Sequence, residues 1–274
     1  MTKRLARVAL LLFGFALVAH GGGIAISPLI VDITLPPGTT YRGTLTVTNT
    51  GETPVTLRAH ALGFIAPQGI PIFLTPDLDR YPYSGRALVQ VEPAEQEAGP
   101  GQNVFFTYTL TMPEVLEPFG GRYVAVVVQA VPKVVGEAQV VVATRVATLF
   151  LISPGPGAAP HFAIKNIRIY QSENNPREVI LEADIQNDGN LHVSRDQIIG
   201  WIYITDADGY LIDVFQAETH TMLPDNEYLH REVWTAPSDL LPGTYQFHLD
   251  LWVFGPLGQK SQQYFISLPV ELKF

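Results

Sequence analysis

The sequence predicts an all-β protein, made of two tandem immunoglobulin-like antiparallel β-sandwiches behind an N-terminal signal peptide. Three observations carry this prediction. Apolar and polar residues alternate over short runs, turn-forming Pro and Gly residues separate those runs, and no run beyond residue 25 repeats its apolar residues with a helical period. Short alternating strands joined by tight turns are typical of antiparallel sandwiches.

The first 25 residues predict a signal peptide. Three basic residues among the first seven precede an apolar run over residues 8–19, and small residues follow it. Because that run is shorter than the roughly 20 residues needed to span a bilayer, we expect no transmembrane segment in the mature chain. Cleavage is expected between His20 and Ile26, and both Gly21 and Ala25 are acceptable as the last residue removed.

The first sandwich is predicted over residues 26–153. It opens with Ile26–Gly51, which has the pattern of a strand, a Pro-Gly turn, a second strand and an Asn-x-Gly turn. In the strand at 103–112 every second residue is apolar, so one face should be buried. Strands are predicted near residues 44–50, 55–64, 87–91, 104–112, 123–130 and 138–152.

A Pro- and Gly-rich segment at residues 154–160 predicts a short, semi-stiff linker. The second sandwich is predicted over residues 161–274, with strands near 162–170, 178–186, 198–205, 210–217, 228–235, 244–254 and 263–272. In 244–254, Tyr245, Phe247, Leu249 and Leu251 lie on the face opposite Trp252 and Phe254. One of these two faces must belong to the core.

The two halves share two short motifs. An Asn-x-Gly motif ends an early strand in each, at Asn49 and Asn187, and a Gly-x-Tyr motif opens a late strand in each, at Tyr123 and Tyr245. A Tyr in that place can hydrogen-bond back to the backbone at a corner of the sandwich. The spacing favours a duplication of one fold.

Composition excludes several classes of function. The formal net charge is −9, and it falls to −12 without the three basic residues of the predicted signal, so no basic surface for nucleic acid is expected. The chain has no Cys, which removes thiol nucleophiles, Cys-ligated metals and disulfides.

No motif predicts catalysis, a metal or a cofactor. The sequence lacks a Gly-x-Ser-x-Gly elbow, and its seven His residues do not have zinc-ligand spacing. Asp206-Ala-Asp-Gly209 resembles the start of a calcium loop, but a tight hairpin turn explains it more simply. A pair of catalytic carboxylates depends on the fold, and the sequence leaves that alternative open.

Two kinds of feature predict binding. Tyr81 and Tyr83, in the long connection after residue 67, and Trp252 are candidate exposed aromatics for a sugar or protein ligand, with packing between the domains as the alternative. The β-branched run at 140–150, with Val142 and Arg145, is a candidate edge strand for β-strand addition.

The first half resembles the N-terminal domain of WxL-interacting proteins, a PapD-like immunoglobulin-type fold of bacterial envelopes. The resemblance covers residues 26–152 and rests on an ordered set of short motifs: Ile26-Ser-Pro, Leu35-Pro-Pro-Gly, Leu45-Thr-Val-Thr-Asn-Thr, Tyr81-Pro-Tyr-Ser, Ala98-Gly-Pro-Gly, Thr109-Leu-Thr-Met-Pro and Phe119-Gly-Gly-Arg-Tyr. It implies binding of peptidoglycan or a cell-surface protein without catalysis. The related pilus chaperones hold a subunit through a cleft Arg and Lys on the first and last strands, and here only Arg145 on the last strand matches.

We therefore expect a non-enzymatic, exported protein of the periplasm or cell surface. It should bind an envelope protein as an assembly, chaperone-like or scaffold factor. The alternative is a surface module that binds peptidoglycan or another glycan. No cofactor is expected.

Overall fold

A computed structural model describes residues 23–132, 143–255 and 260–274. Within these residues the chain forms strands and three single-turn 3-10 segments at Pro67–Gly69, Arg86–Leu88 and Arg195–Gln197, and no α-helix. The strands of the first half are β1 (Ile24–Ser27), β2 (Ile30–Thr34), β3 (Thr40–Asn49), β4 (Val55–Ile65), β5 (Ile72–Leu74), β6 (Val89–Glu92), β7 (Glu95–Ala98), β8 (Asn103–Thr111), β9 (Arg122–Pro132) and β10 (Thr144–Ser153). Those of the second half are β11 (Phe162–Gln171), β12 (Glu178–Asn187), β13 (Ile198–Thr205), β14 (Leu211–Gln216), β15 (Glu227–Thr235), β16 (Gly243–Phe254) and β17 (Lys260–Leu272). The all-β prediction is confirmed.

Strands β1–β10 form two facing sheets. One has the order β1-β3-β8-β6, and the other has the order β2-β10-β9-β4-β5 with β7 also paired to β4. The alternate residues of β8 that the sequence places on one face are at most 5% exposed and lie between the sheets, namely Val104, Phe106, Tyr108 and Leu110. Burial of one face per strand is what the two-residue period predicts.

One pair of strands in this sandwich is parallel. β1 pairs antiparallel with β3, whereas β2 pairs parallel with β10, with Ile30 opposite Leu149 and Thr34 opposite Ser153. The chain therefore crosses from one sheet to the other between β1 and β2. Alternation of apolar residues does not report the direction of pairing, so the sequence predicted only antiparallel strands.

Strands β11–β17 form a second sandwich. Its sheets have the orders β11-β12-β15 and β14-β13-β16-β17, and every pair is antiparallel. The face of β16 that carries Tyr245 and Phe247 is the buried one, at 6% exposure or less, so Trp252 lies on the outer face. The side chain of Trp234 packs edge-on against Phe247 inside this sandwich, at 5.5 Å between ring centres.

The Asn-x-Gly motifs have the same role in both sandwiches. Asn49 and Asn187 are fully buried. The side-chain amide of each donates to two backbone carbonyls at 2.8–3.1 Å, and its oxygen accepts from the N–H of the Gly two residues later. Each Asn thus satisfies buried backbone groups at a sandwich corner, which supports the predicted duplication.

The segment Asp206–Gly209 is a hairpin turn between β13 and β14, as predicted. The Asp206 carboxylate accepts from the N–H groups of Asp208 and Tyr210 at 3.0 and 2.8 Å. Gly209 has φ +84°, a left-handed conformation that suits glycine. Because that carboxylate already serves the turn, the calcium-loop interpretation is not needed.

No strand crosses the predicted linker at 154–160, since β10 ends at Ser153 and β11 begins at Phe162.

Residues 1–22 of the predicted signal lie outside the described part of the chain. Ile24 is buried and pairs with Asn49 in the first strand. Cleavage after Gly21 would leave β1 whole, whereas cleavage after Ala25 would remove its first two residues. Within the described residues, no helix is long and apolar enough to cross a bilayer.

Candidate partner-binding surfaces

The residues predicted to bind a partner do not converge on one site. Arg145 is exposed on β10 of the first sandwich, and Trp252 is partly exposed on β16 of the second. Tyr81 and Tyr83 lie in the connection between β5 and β6. Val142 lies outside the described residues.

Tyr81 and Tyr83 are not an exposed binding loop. The connection that carries them folds back against β9, so Tyr83 is 8% exposed and Tyr81 packs 6.1 Å from the ring of Tyr123. The Tyr81 hydroxyl donates to the carbonyl of Pro224, in the second domain, at 2.7 Å. Burial raises the pKa of both phenols. The alternative of interdomain packing therefore describes these residues, and in this conformation Tyr83 does not offer its ring to a ligand.

Tyr123 is the centre of this interdomain contact. It is fully buried, and its hydroxyl accepts a hydrogen bond from the backbone N–H of His192 at 2.7 Å. The His192 ring meets the Tyr123 ring edge-on, and its Nε2 atom lies 3.3 Å from the Asp32 carboxylate on β2. Ser194 donates to the same carboxylate at 3.0 Å. This chain of contacts ties β2 and β9 to the second domain.

Asp32 is held as a carboxylate by these partners. Burial acts to raise the pKa of Asp32, but the hydrogen bond and charge of His192 and the hydrogen bond from Ser194 outweigh it, and the pKa is lowered. The sequence assigned no role to Asp32 or His192, since the two lie about 160 residues apart and neither has catalytic or metal-ligand spacing.

Further hydrogen bonds cross between the domains at the turn that follows β4. The N–H of Ala66 donates to the Asn226 side chain at 2.8 Å, and the Gln68 side chain accepts from the N–H of Leu229 at 3.1 Å. Leu223 of the second domain is fully buried within a cluster of first-domain residues. The two sandwiches therefore share buried polar and apolar contacts made by residues far from the linker in the sequence.

The strand β10 is open along part of one edge. It pairs with β9 over Thr144–Ile152 but with β2 only from Leu149 onward. The N–H of Leu149 donates to the Leu29 carbonyl, away from β9, so by the two-residue period the N–H groups of Ala147 and Arg145 point to that same side. Within the described residues no strand pairs with β10 on that side before Leu149. A strand paired with this open stretch of β10 would therefore lie end to end with β2.

Arg145 stands at this open edge. Its side chain is exposed, and its Nε donates to the Gln129 side chain on β9 at 3.2 Å. Burial, and then the positive charge of Arg145, lower the pKa of His60 on β4. Arg145 therefore lies on the sheet surface beside the edge and is accessible to a partner.

The outer face around Trp252 is partly apolar. Trp252 stands opposite Ile199 on β13 and Gln263 on β17. On the same face Trp201 is 37% and Phe265 60% exposed.

Within the described residues, no group of three or more His, Asp or Glu side chains is placed to hold a metal ion.

No protein-family model matches the chain, so membership of the WxL-interacting family stays a prediction. No curated protein matches it either.

Solved structures of fimbrial chaperones are similar to this chain in fold. The YadV chaperone is 12% identical, over 89% of this chain and 99% of that one, with a TM-score of 0.44. The class 5 fimbriae chaperone CfaA is 14% identical, over 90% and 100%, with a TM-score of 0.46. A Salmonella enterica complex of SafA pilin with the SafB chaperone gives 14% identity, over 90% and 96%, with a TM-score of 0.42.

Proposed function

We propose that this protein is an exported, non-enzymatic factor of the periplasm or cell surface that binds an envelope protein by β-strand addition to β10, as an assembly or chaperone-like factor. The observation that carries the proposal is the open stretch of β10 beside Arg145 and Ala147, in line with β2. A partner strand placed there would hydrogen-bond to the outward-facing backbone groups of β10 that β2 does not pair with. In strand addition, such main-chain hydrogen bonds supply the affinity.

The chemistry of the edge fits an extended partner. β-branched residues at Thr144, Val146 and Thr148 keep this part of β10 in the extended conformation. Arg145 interrupts the apolar run, and a charge on an edge strand limits pairing with unrelated chains. The charge of Arg145 therefore opposes aggregation through this edge when no partner is bound, and a partner strand that tolerates the charge can still pair with it.

The test first identifies the partner. A photo-crosslinking residue at position 145 in cells should give one discrete protein adduct, and the same residue at Gln90, on the exposed edge strand β6, should not give that adduct. If both positions gave the same adduct in equal amounts, the partner would not bind specifically at the edge of β10.

A matched pair of variants then separates backbone from side chain. Arg145→Ala removes only the side chain, whereas Arg145→Pro also removes the outward N–H without breaking the ladder to β9. One hydrogen bond contributes about 0.5–1.5 kcal/mol, so Arg145→Pro should bind the purified partner about 2- to 12-fold more weakly than Arg145→Ala. Equal affinities of the two folded variants would refute strand addition at this edge.

A further inference from the structure

A cleft of about 770 Å³ lies between the two domains. Ile30 and Asp32 on β2 and Leu151 on β10 form its wall in the first domain, and the rest of the wall comes from the second domain. The cleft is separate from the open end of β10, because all three wall residues lie where β2 and β10 are paired. A ligand held here would not depend on strand addition.

The cleft is acidic. Its charged side chains are four carboxylates and one guanidinium, from Asp32, Asp196, Glu218, Glu232 and Arg195. A cleft lined mainly by one sign of charge concentrates ligands of the opposite sign. Within the described residues no three acidic or His side chains converge on a point where a metal ion could be held. The charge therefore favours an organic cation.

A smaller pocket adjoins the cleft and shares Ile198, Glu218 and Thr219 with it. Its volume is about 20 Å³ and its walls are mostly apolar. A space of roughly 10–15 Å³ accommodates one water-sized group. An ammonium group has that size, whereas a planar guanidinium is larger.

His230 lines this pocket and supplies an unused hydrogen-bonding atom. Its side chain is 4% exposed, and its Nε2 atom has no hydrogen-bond partner. That atom lies 3.6 Å from the Glu232 carboxylate, too far for a hydrogen bond but close enough for one –NH3+ group to reach both. Buried polar atoms without a partner are rare, so this one points to a donor that the pocket receives.

The protonation of these two groups suits a cation. Burial, and then the charge of His220, lower the pKa of His230 to about 4, so the ring is neutral near pH 7 and can accept through Nε2 when its proton is on Nδ1. Burial raises the pKa of Glu232, whose carboxylate already accepts from the N–H of Glu218 at 2.6 Å. A bound cation would offset the charge that burial disfavours.

We propose that the interdomain cleft binds a primary ammonium, presented by a lysine side chain of an extended partner segment, and that this ammonium lies between Glu232 and His230 with Glu218 at the mouth of the pocket. Tyr228, whose ring lines the pocket, provides an aromatic wall for the cation.

Four capped five-residue peptides test this with the full mature chain. They have the sequence Thr-Val-X-Val-Thr, where X is lysine, arginine, acetyl-lysine or norleucine, and binding is measured by calorimetry at low salt. The lysine peptide should bind about tenfold more tightly than each of the other three, the ratio expected for one charge-assisted hydrogen bond. Equal binding of norleucine and lysine would overturn the charge recognition, and equal binding of arginine would overturn the ammonium assignment. If the lysine peptide did not approach saturation at about 5 mM, its dissociation constant would lie above the low-millimolar range, and the proposed site would be wrong.

Variants locate the site. Glu232→Gln and His230→Phe should each weaken the lysine peptide about tenfold and leave the norleucine peptide unchanged. The Glu218 side chain is 64% exposed, so Glu218→Gln should fold even if a substitution at a buried position does not, and it can then serve as the test. Asp208→Asn, in the hairpin turn after β13, is the matched control and should bind as the wild type does. Unchanged binding in folded Glu232→Gln and Glu218→Gln would refute the proposal.

Discussion

The hydroxyl of Tyr123 gives the sharpest stability prediction, because it joins the two domains inside a fully buried contact. Tyr123→Phe keeps the ring and its edge-on contacts with Phe64 and His192. It removes the hydroxyl, which accepts from the His192 N–H at 2.7 Å and lies 3.3 Å from the Nδ1 atom of the same residue, and His192 is 5% exposed. The change therefore isolates the contacts that one hydroxyl makes across the domain interface.

The size of the effect follows from that geometry. A buried donor that loses its partner costs about 1–3 kcal/mol, because water does not replace the lost acceptor. For a chain of this length 1 kcal/mol corresponds to roughly 2–4 °C in Tm, so Tyr123→Phe should lower Tm by about 2–12 °C. Calorimetry measures the shift, and hydrogen exchange at the His192 amide should accelerate in parallel.

Tyr210→Phe is the control, because Tyr210 is 73% exposed at a turn. Its free energy of unfolding should stay within about 0.5 kcal/mol of the wild type. If Tyr123→Phe shifts no more than this control and the His192 amide stays protected, the hydroxyl does not join the domains and the reasoning is wrong.

Three more predictions concern stability. Because burial lowers the pKa of His230 to about 4, the unfolded chain binds the proton first as pH falls. The free energy of unfolding should therefore be unaffected near pH 7 and decline by roughly 2–3 kcal/mol from about pH 6.5 to 4, with a shallower decline in His230→Phe, as urea titrations would show. Asn49→Ala and Asn187→Ala should each cost about 2–4 kcal/mol in the same assay, since each fully buried Asn side chain makes three hydrogen bonds to the backbone; a loss at only one position would contradict their equivalence. Proteolytic cleavage within residues 154–160 should leave both halves in one peak on size exclusion, and separate peaks would show that the interdomain contacts do not hold them.

Features that depend on neighbours along the chain could be predicted from the sequence. The buried face of β8 follows from its two-residue period, and the turn at Asp206–Gly209 follows from an Asp-Gly pair between two strands. Asn49 and Asn187 stood out because a short motif repeats in both halves. For β8 and the turn, the signal and the structure lie within about ten residues of each other. Each Asn also bonds to a more distant carbonyl, of Ala98 or Met222, which the motif does not reveal.

Features that depend on the meeting of distant segments were missed. Tyr81 has the appearance of an exposed loop aromatic, yet its hydroxyl partner, Pro224, lies 143 residues away. The two Gly-x-Tyr motifs also diverge, since Tyr245 donates back to the Leu241 carbonyl as predicted while Tyr123 bonds to the other domain. The same local pattern serves two roles because only the tertiary contacts distinguish them.

The parallel pairing of β2 with β10 has a consequence for the order of folding. It joins Ile30 to Leu149, about 120 residues later in the chain, and contacts between such distant residues form slowly because a long loop must close first. In the export that we propose, the first strands would emerge long before β10 does, so the first sandwich would stay incomplete until nearly all of its residues had crossed the membrane. The proposed binding edge would then arise only in the last step, when β2 fixes β10 in place, and a partially translocated chain would have no edge with which to capture a partner too early.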